Sequence, residues 1–120
     1  METVGIGIDL VEVGRLERAL ERYPRLATRL FTERELSHCE EMRRPGRHLA
    51  ARFAAKEAAV KAMGLNPGHS MTEIEVVAGR PPVIQLHRGL AERAADEGLS
   101  LSLSLTHERE MAGAVVLVGR

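Results

Sequence analysis

The sequence predicts an α+β fold, a small antiparallel sheet packed by helices on one side, with one long central helix. Three observations carry this. Leu99, Leu101, Leu103 and Leu105 alternate with Ser100, Ser102, Ser104 and Thr106, the period of a strand with one buried face. Met111 to Val118 is apolar on both faces, as a central strand is. The run from Leu49 to Met63 is dominated by alanine and contains no Gly or Pro, which makes it the strongest helix former in the chain.

The remaining elements follow in order. Val4, Ile6 and Ile8 alternate with Gly5, Gly7 and Asp9, which predicts a short first strand with one face nearly bare of side chains. Asp9 then stands at the strand's end. Leu10, Val13, Leu16 and Leu20 give a helix from Leu10 to Glu21, and Pro24 opens a second short one through Leu30. Thr32 to Glu35 is a T-x-x-E capping box that starts a helix to Met42. Pro45 and Gly46 mark a turn before the alanine-rich helix, which stops near Gly64. A loop over Asn66 to Ser70 leads to a hairpin, with strands Ile74 to Val77 and Val83 to Leu86 around a turn from Ala78 to Pro82. Leu90 to Glu97 is helical and ends at Gly98, and residues His107 to Glu110 connect the last two strands.

Composition bounds the function. A chain of 120 residues is read as one domain spanning 1–120, with a real but small core. Its formal net charge is zero and its only aromatic residues are Tyr23, Phe31 and Phe53, so electrostatic or stacking recognition of nucleic acid is not expected. The single cysteine, Cys39, excludes an internal disulfide and fits a reducing compartment. Met1 to Val4 is acidic with no signal-peptide stretch behind it, and the longest apolar run is far short of a membrane span. The expectation is a soluble, cytoplasmic protein.

Charge choice then singles out one segment. Fifteen of the seventeen basic residues are arginine, and both lysines, Lys56 and Lys61, fall in Arg52-Phe53-Ala54-Ala55-Lys56-Glu57-Ala58-Ala59-Val60-Lys61-Ala62. An ammonium is a compact point charge suited to a phosphate oxygen, whereas guanidinium is a flat fork. On a helix, Leu49, Phe53, Val60 and Met63 gather into one stripe, Arg52 and Lys56 lie on one flank, and Glu57 lies beyond the other with Lys61 a turn further on. The opposite face is alanine rather than polar, so the helix is expected to be packed on most sides, with its charges in a crevice or at a rim. Two surface ion pairs on a solvated flank are the plainer alternative.

Asp9 is one of two aspartates. It reads either as the N-cap of a D-x-x-E helix start with Glu12 or, paired with Glu57, as a hard oxygen ligand of Mg²⁺. Asp9 and Glu57 with Arg52, Lys56 and Lys61 would make a metal-phosphate site. Ser104 and His107 end the alternating strand with groups that would contact a phosphate or nucleotide, although a lone His there is commonly a hairpin residue. Arg15, Arg18, Arg22, Arg25 and Arg29 recur at three- and four-residue intervals. Interleaved Glu17 and Glu21 permit a self-paired solvated face; the alternative is a docking surface for an acidic protein.

Three segments carry a family resemblance. Gly5-Ile6-Gly7-Ile8-Asp9 resembles the GxD signature of the 4′-phosphopantetheinyl transferases, residues Arg52 to Ala62 resemble their FxxKEAxxKA signature, and Ser104-Leu105-Thr106-His107 resembles their S-[IL]-[ST]-H segment. All three come in family order, and the length is similar to that of the short subgroup, the holo-acyl-carrier-protein synthases. The resemblance implies a 4′-phosphopantetheinyl transferase-like fold and Mg²⁺-dependent transfer of 4′-phosphopantetheine from coenzyme A to a serine of apo acyl carrier protein, a step of fatty acid biosynthesis that releases 3′,5′-ADP. It implies Asp9 and Glu57 as metal ligands, Glu57 and Lys61 as catalytic residues, and Arg52, Lys56, Lys61, Ser104 and His107 as the coenzyme A site. It implies Arg15, with Arg25 and Arg29, as the carrier-protein contact, and a homotrimer with sites between subunits. The place of an acidic residue proposed to activate water in related enzymes falls on Ser37, so no dedicated base is assigned. Two other classes stay open, a non-catalytic coenzyme A or nucleotide-binding module that docks an acidic protein, and a purely structural oligomeric domain.

Overall fold

The computed structural model describes residues 1–66 and 68–120; Pro67, inside the expected Asn66–Ser70 loop, lies outside the described residues. The element order is β1 (Thr3–Glu12), α1 (Val13–Arg22), α2 (Leu26–Leu30), α3 (Glu33–Glu40), α4 (Pro45–Met63), a 3₁₀ turn (Met71–Glu73), β2 (Ile74–Val77), β3 (Val83–Leu86), α5 (Arg88–Glu97), β4 (Ser100–Glu108) and β5 (Met111–Gly119). β5 is central in an antiparallel sheet of order β1-β5-β4, as its two apolar faces predict, and β2-β3 forms a separate two-stranded sheet.

β1 runs three residues past the expected strand end at Asp9. Its pairing with β5 continues through Asp9↔Ala114 and Val11↔Ala112 to Glu12↔Met111. Ladder hydrogen bonds to a neighbouring strand outweigh the helical spacing of Leu10 and Val13, so α1 begins only at Val13. Asp9 is therefore a mid-strand residue and not a helix cap, and Glu12 takes the N-cap position without a side-chain bond.

The bare face of β1 is bare for a reason. A Cβ on Gly5 would stand 2.0 Å from the Ala62 carbonyl oxygen, and one on Gly7 would stand 1.9 Å from that of Ala58. Both approaches are below any real contact, so only glycine lets strand and helix backbones touch. The alanines of α4 (Ala54, Ala55, Ala58, Ala59 and Ala62) meet them from the other side, with Val116 and Val118 of β5 in the same core. Eleven of the nineteen residues of α4 are buried, which bears out a helix packed on most sides.

Its most open stripe is not the alanine face. From Leu49 to Met63 only Lys61 is exposed, and Phe53, Glu57 and Val60 are half-buried. At 3.6 residues per turn those four share one stripe. Pro45, read as part of a turn, is the first residue of α4, where its missing N–H costs nothing. The capping box is formed as expected, with Thr32 and Glu35 bonding each other's backbone.

The sheet's other face is uncovered in the single chain. Val4, Ile6, Ile8 and Leu10 of β1 are exposed, three of them by about two-thirds of their surface, beside half-buried Val115 and exposed Leu117 of β5. Ile6 pairs with Leu117 and Ile8 with Val115, so these side chains form one patch.

Candidate active site

Asp9 and Glu57 converge as their residue types predict. Asp9 on β1 and Glu57 on the open stripe of α4 line one cavity of about 580 Å³, together with Glu12, Arg15, Leu16, Ala19, Phe53 and Met111. Burial raises the Glu57 carboxyl above its usual range, the Asp9 charge raises it further, and Lys61 opposes both. Lys61 donates to Asp9 Oδ1 at 3.2 Å and to the Ile8 carbonyl at 2.9 Å. Its side chain remains 55% exposed, so the ammonium keeps room for a further partner.

Three carboxylates at one cavity, Asp9, Glu12 and Glu57, against Arg15 and the half-free Lys61, leave it short of positive charge. Among the described residues no group of three or more His, Cys, Asp or Glu could hold a metal ion. Asp9 and Glu57 are nevertheless donors of the kind Mg²⁺ takes, an oxygen-seeking ion that accepts one or two carboxylates and completes its shell with phosphate oxygens and water. Asp9 and Glu57 are the residues that would hold it.

Lys56 is placed elsewhere, in the core and away from the Asp9–Glu57 cavity. Its side chain is 0% exposed. Nζ donates to Glu35 Oε1 at 2.8 Å, to the Met71 carbonyl at 3.0 Å and to the Ile74 carbonyl, which uses all three protons. Burial pulls its pKa down while Glu35 holds it up.

Arg52 and His107 belong to a second, cationic cluster at the N-terminal half of α4. Arg52 is 6% exposed and donates to the His48 carbonyl at 3.2 Å. The rings of His48 and His107 stand edge to face with centroids 5.9 Å apart. Burial, then Arg52, His107, Arg47 and His38, lower the His48 pKa, so every charged neighbour acting on it is basic. Among the described residues the Nε atoms of Arg47 and Arg52 are buried without a partner. His107 itself is still in β4, opposite Ala112, rather than in the turn.

Ser104 is not brought to either cluster within one chain. Leu103 and Leu105 pack inward against the core, so Ser104, with Ser102 and Thr106, projects from the exposed face of the sheet. Ser37 lines a different, open cavity with Thr32, Arg34, Thr72, Glu75, His87 and Arg88.

The arginine stripe is resolved by its partners. Arg15, Arg18, Arg22, Arg25 and Arg29 are exposed, and among the described residues none has an acidic group within 4 Å. Glu17, which permitted the self-paired reading, pairs instead with Arg44 at 3.0 Å, and Arg44 also pairs with Glu110. Arg15 stands at the rim of the Asp9–Glu57 cavity, and Arg25 and Arg29 flank a smaller hollow of about 350 Å³ with Tyr23 and Leu26.

Sequence reasoning missed Glu35, Arg47 and His48. Glu35 was legible as a cap, but its bonds to Lys56 and to the Val76 N–H cross 21 and 41 residues of chain. Arg47 and His48 had no local signal beyond lying one turn before Arg52.

Known proteins resemble this chain along nearly its whole length. A holo-[acyl-carrier-protein] synthase of Streptomyces coelicolor is 47% identical over 120 residues, covering 98% of both chains. One of Moorella thermoacetica is 46% identical over 117 residues, covering 93% of this chain and 91% of that one. The crystal structure of the synthase from Neisseria meningitidis superposes with a TM-score of 0.88 at 29% identity, covering 98% of this chain and 99% of that one. That of Helicobacter pylori, in complex with coenzyme A, superposes at 0.80 with 30% identity, covering 95% and 99%. The family model of the 4′-phosphopantetheinyl transferase superfamily matches residues 5–114, a span that contains Asp9, Glu57, Lys61 and His107. The chain belongs to that superfamily.

Proposed function

We propose that this protein is a holo-acyl-carrier-protein synthase, transferring 4′-phosphopantetheine from coenzyme A to a serine of apo acyl carrier protein. The observation that carries this reading is the convergence of Asp9 and Glu57 at one cavity, with Lys61 bonded to Asp9 and Arg15 at the rim. In the reaction the serine Oγ forms a bond to the phosphorus bearing pantetheine, the P–O bond to 3′,5′-ADP breaks, and the serine proton passes to a base. Such transfers depend mainly on positioning and on neutralising charge at the oxygens. Mg²⁺ held by Asp9 and Glu57 would supply Lewis-acid charge to the pyrophosphate.

The chain's own residues divide the remaining work. Lys61 offers a point charge to the departing 3′,5′-ADP. The buried, partnerless Nε atoms of Arg47 and Arg52, with His48 and His107, offer a separate anion seat for another phosphate of coenzyme A. Unpaired Arg15, Arg25 and Arg29 offer charge to an acidic carrier protein. The uncovered apolar face of β1 and β5 is the surface through which three copies would associate, and Ser104 on that face would then be presented to a neighbouring subunit's site. The single buried Cys39, unpaired, is consistent with action in the cytoplasm as one transferase domain.

Intact-protein mass spectrometry tests the reading. Purified protein with Mg²⁺ and coenzyme A is expected to raise the mass of a fatty-acid-type apo carrier protein by one phosphopantetheine, and Glu57→Gln is expected to abolish the gain. Coenzyme A binding with no mass gain, in the presence of an active control enzyme, would instead identify a non-catalytic binding module.

A further inference from the structure

α4 has an unusual problem of placement. A helix normally has its rotation fixed by bulky side chains interlocking with its neighbours. α4 presents alanine to β1 and β5, and Gly5 and Gly7 present no side chain in return. Smooth surfaces let backbones approach closely, but they define neither rotation nor axial position tightly. Glu57 needs both, because one residue of rotation on a helix is about 100°.

Lys56 supplies what the alanines do not. Its side chain leaves α4 next to Glu57 and ends in a fully buried socket made by three other segments: Glu35 of α3, the Met71 carbonyl of the 3₁₀ turn and the Ile74 carbonyl of β2. Glu35 is itself held on both oxygens, Oε1 by the Thr32 N–H and Oε2 by the Val76 N–H, each at 2.8 Å. The Phe31 ring lies 5.7 Å from Nζ. The two charged groups are wholly sheltered from solvent and meet at 2.8 Å. Apolar residues of similar volume would often hold such a core as well or better, so the pair is better explained by geometry than by stability.

We propose that Lys56 is a positioning residue that fixes the rotation of α4, and with it the carboxyl of Glu57, and that it makes no contact with coenzyme A. This rests on the transferase reading only where turnover is measured. Two tests separate the parts.

The first uses the wild-type protein and its having just two lysines. Acetylation followed by peptide mapping is expected to modify Lys61 rapidly and Lys56 not at all, with coenzyme A protecting Lys61 alone. Labelling of Lys56 at a rate near that of Lys61, or its protection by coenzyme A, would overturn the buried assignment.

The second replaces both members of the pair, Lys56→Met with Glu35→Gln, leaving no unpaired charge. The variant is expected to melt below the wild-type temperature, because the Met71 and Ile74 carbonyls and one of the two N–H groups held by Glu35 lose their partners. It is expected to bind metal-free coenzyme A within about 3-fold of wild type, while Mn²⁺ affinity by electron paramagnetic resonance falls about 10-fold or more and kcat falls with it. Should that variant not fold, Glu35→Asp keeps both charges, shortens the tether, and is expected to show the same split. Wild-type Mn²⁺ affinity and kcat in the folded variant would sink the proposal, as would weakened coenzyme A binding with Mn²⁺ affinity intact. Mn²⁺ binding and labelling are read without turnover, so a wild-type protein that transfers nothing would count against the transferase reading and not against the role of Lys56.

Discussion

Lys56 and Lys61 lie five residues apart on one helix and occupy opposite electrostatic worlds. Lys56 is shut in the core with every proton used, while Lys61 is more than half exposed and spends its bonds on Asp9 and the Ile8 carbonyl. Their surroundings differ for a simple reason. Residues 56 and 61 are about 140° apart around α4, and only the stripe of Phe53, Glu57, Val60 and Lys61 meets open space. A buried charge must be fully paired, and an exposed one remains available. The same side chain is thus fully bonded in the core in one place and half open to solvent in the other.

Two carboxylates repeat the contrast. Glu75 is pulled down to about 2, first by its hydrogen bond from Arg34 and then by those from Thr32 and His87, against the opposing effect of burial. Glu57 is raised, first by burial and then by Asp9. Glu75 sits where its charge is satisfied and holds α3 to β2. Glu57 sits where its charge is not, which is the condition of a group awaiting a partner.

Breaking the buried side of the contrast is expected to have the largest effect. Lys56→Met alone leaves the Glu35 carboxylate buried without its cation and is expected to cost about 3–5 kcal/mol of stability. Urea unfolding measures this, and a loss below about 1 kcal/mol would make the two lysines equivalent after all.

Glu75→Gln is expected to have an intermediate effect, and one that depends on pH. Its pKa is depressed from 4.5 to about 2 in the fold, so the charged form stabilises the folded chain above pH 4.5. That contribution fades as pH falls from 4.5 through 2. Melting temperatures of wild type and variant should therefore differ at pH 7 and converge toward pH 2; a gap that stays constant with pH would assign the stabilisation to packing.

Lys61→Met sharpens the exposed side and is expected to change stability least, by about 0–1 kcal/mol, as surface ion pairs do. Calorimetric titration should nevertheless show weakened coenzyme A binding. A large loss of stability with unchanged binding would reverse the roles of the two lysines.

Much of the fold was legible locally. The Leu/Ser alternation placed β4, the two-faced apolar run placed β5 at the centre, and the T-x-x-E box placed the start of α3. The end of β1 was not, because Leu10 to Glu12 carry a helical spacing that only pairing with Met111 to Gly113 overrides. Asp9 and Glu57 were legible as a site because both stand in short motifs with unusual neighbours. The burial of Lys56 was not legible because its partners lie 15 to 21 residues away, in segments whose own patterns gave no hint of α4.

By itself the sequence singled out the candidates for chemistry: two carboxylates, two lysines among fifteen arginines, and a glycine-lined strand that backbone or ligand can approach closely. It determined the family through three motifs in order. Only the tertiary structure decided which lysine bonds Asp9, that Arg52 and His107 form a second cluster apart from Asp9, and that Ser104 points to the opposite face of the sheet. The reason is geometric. Composition and spacing fix which side chains share a face, whereas the face that meets solvent is set by what distant segments pack against it.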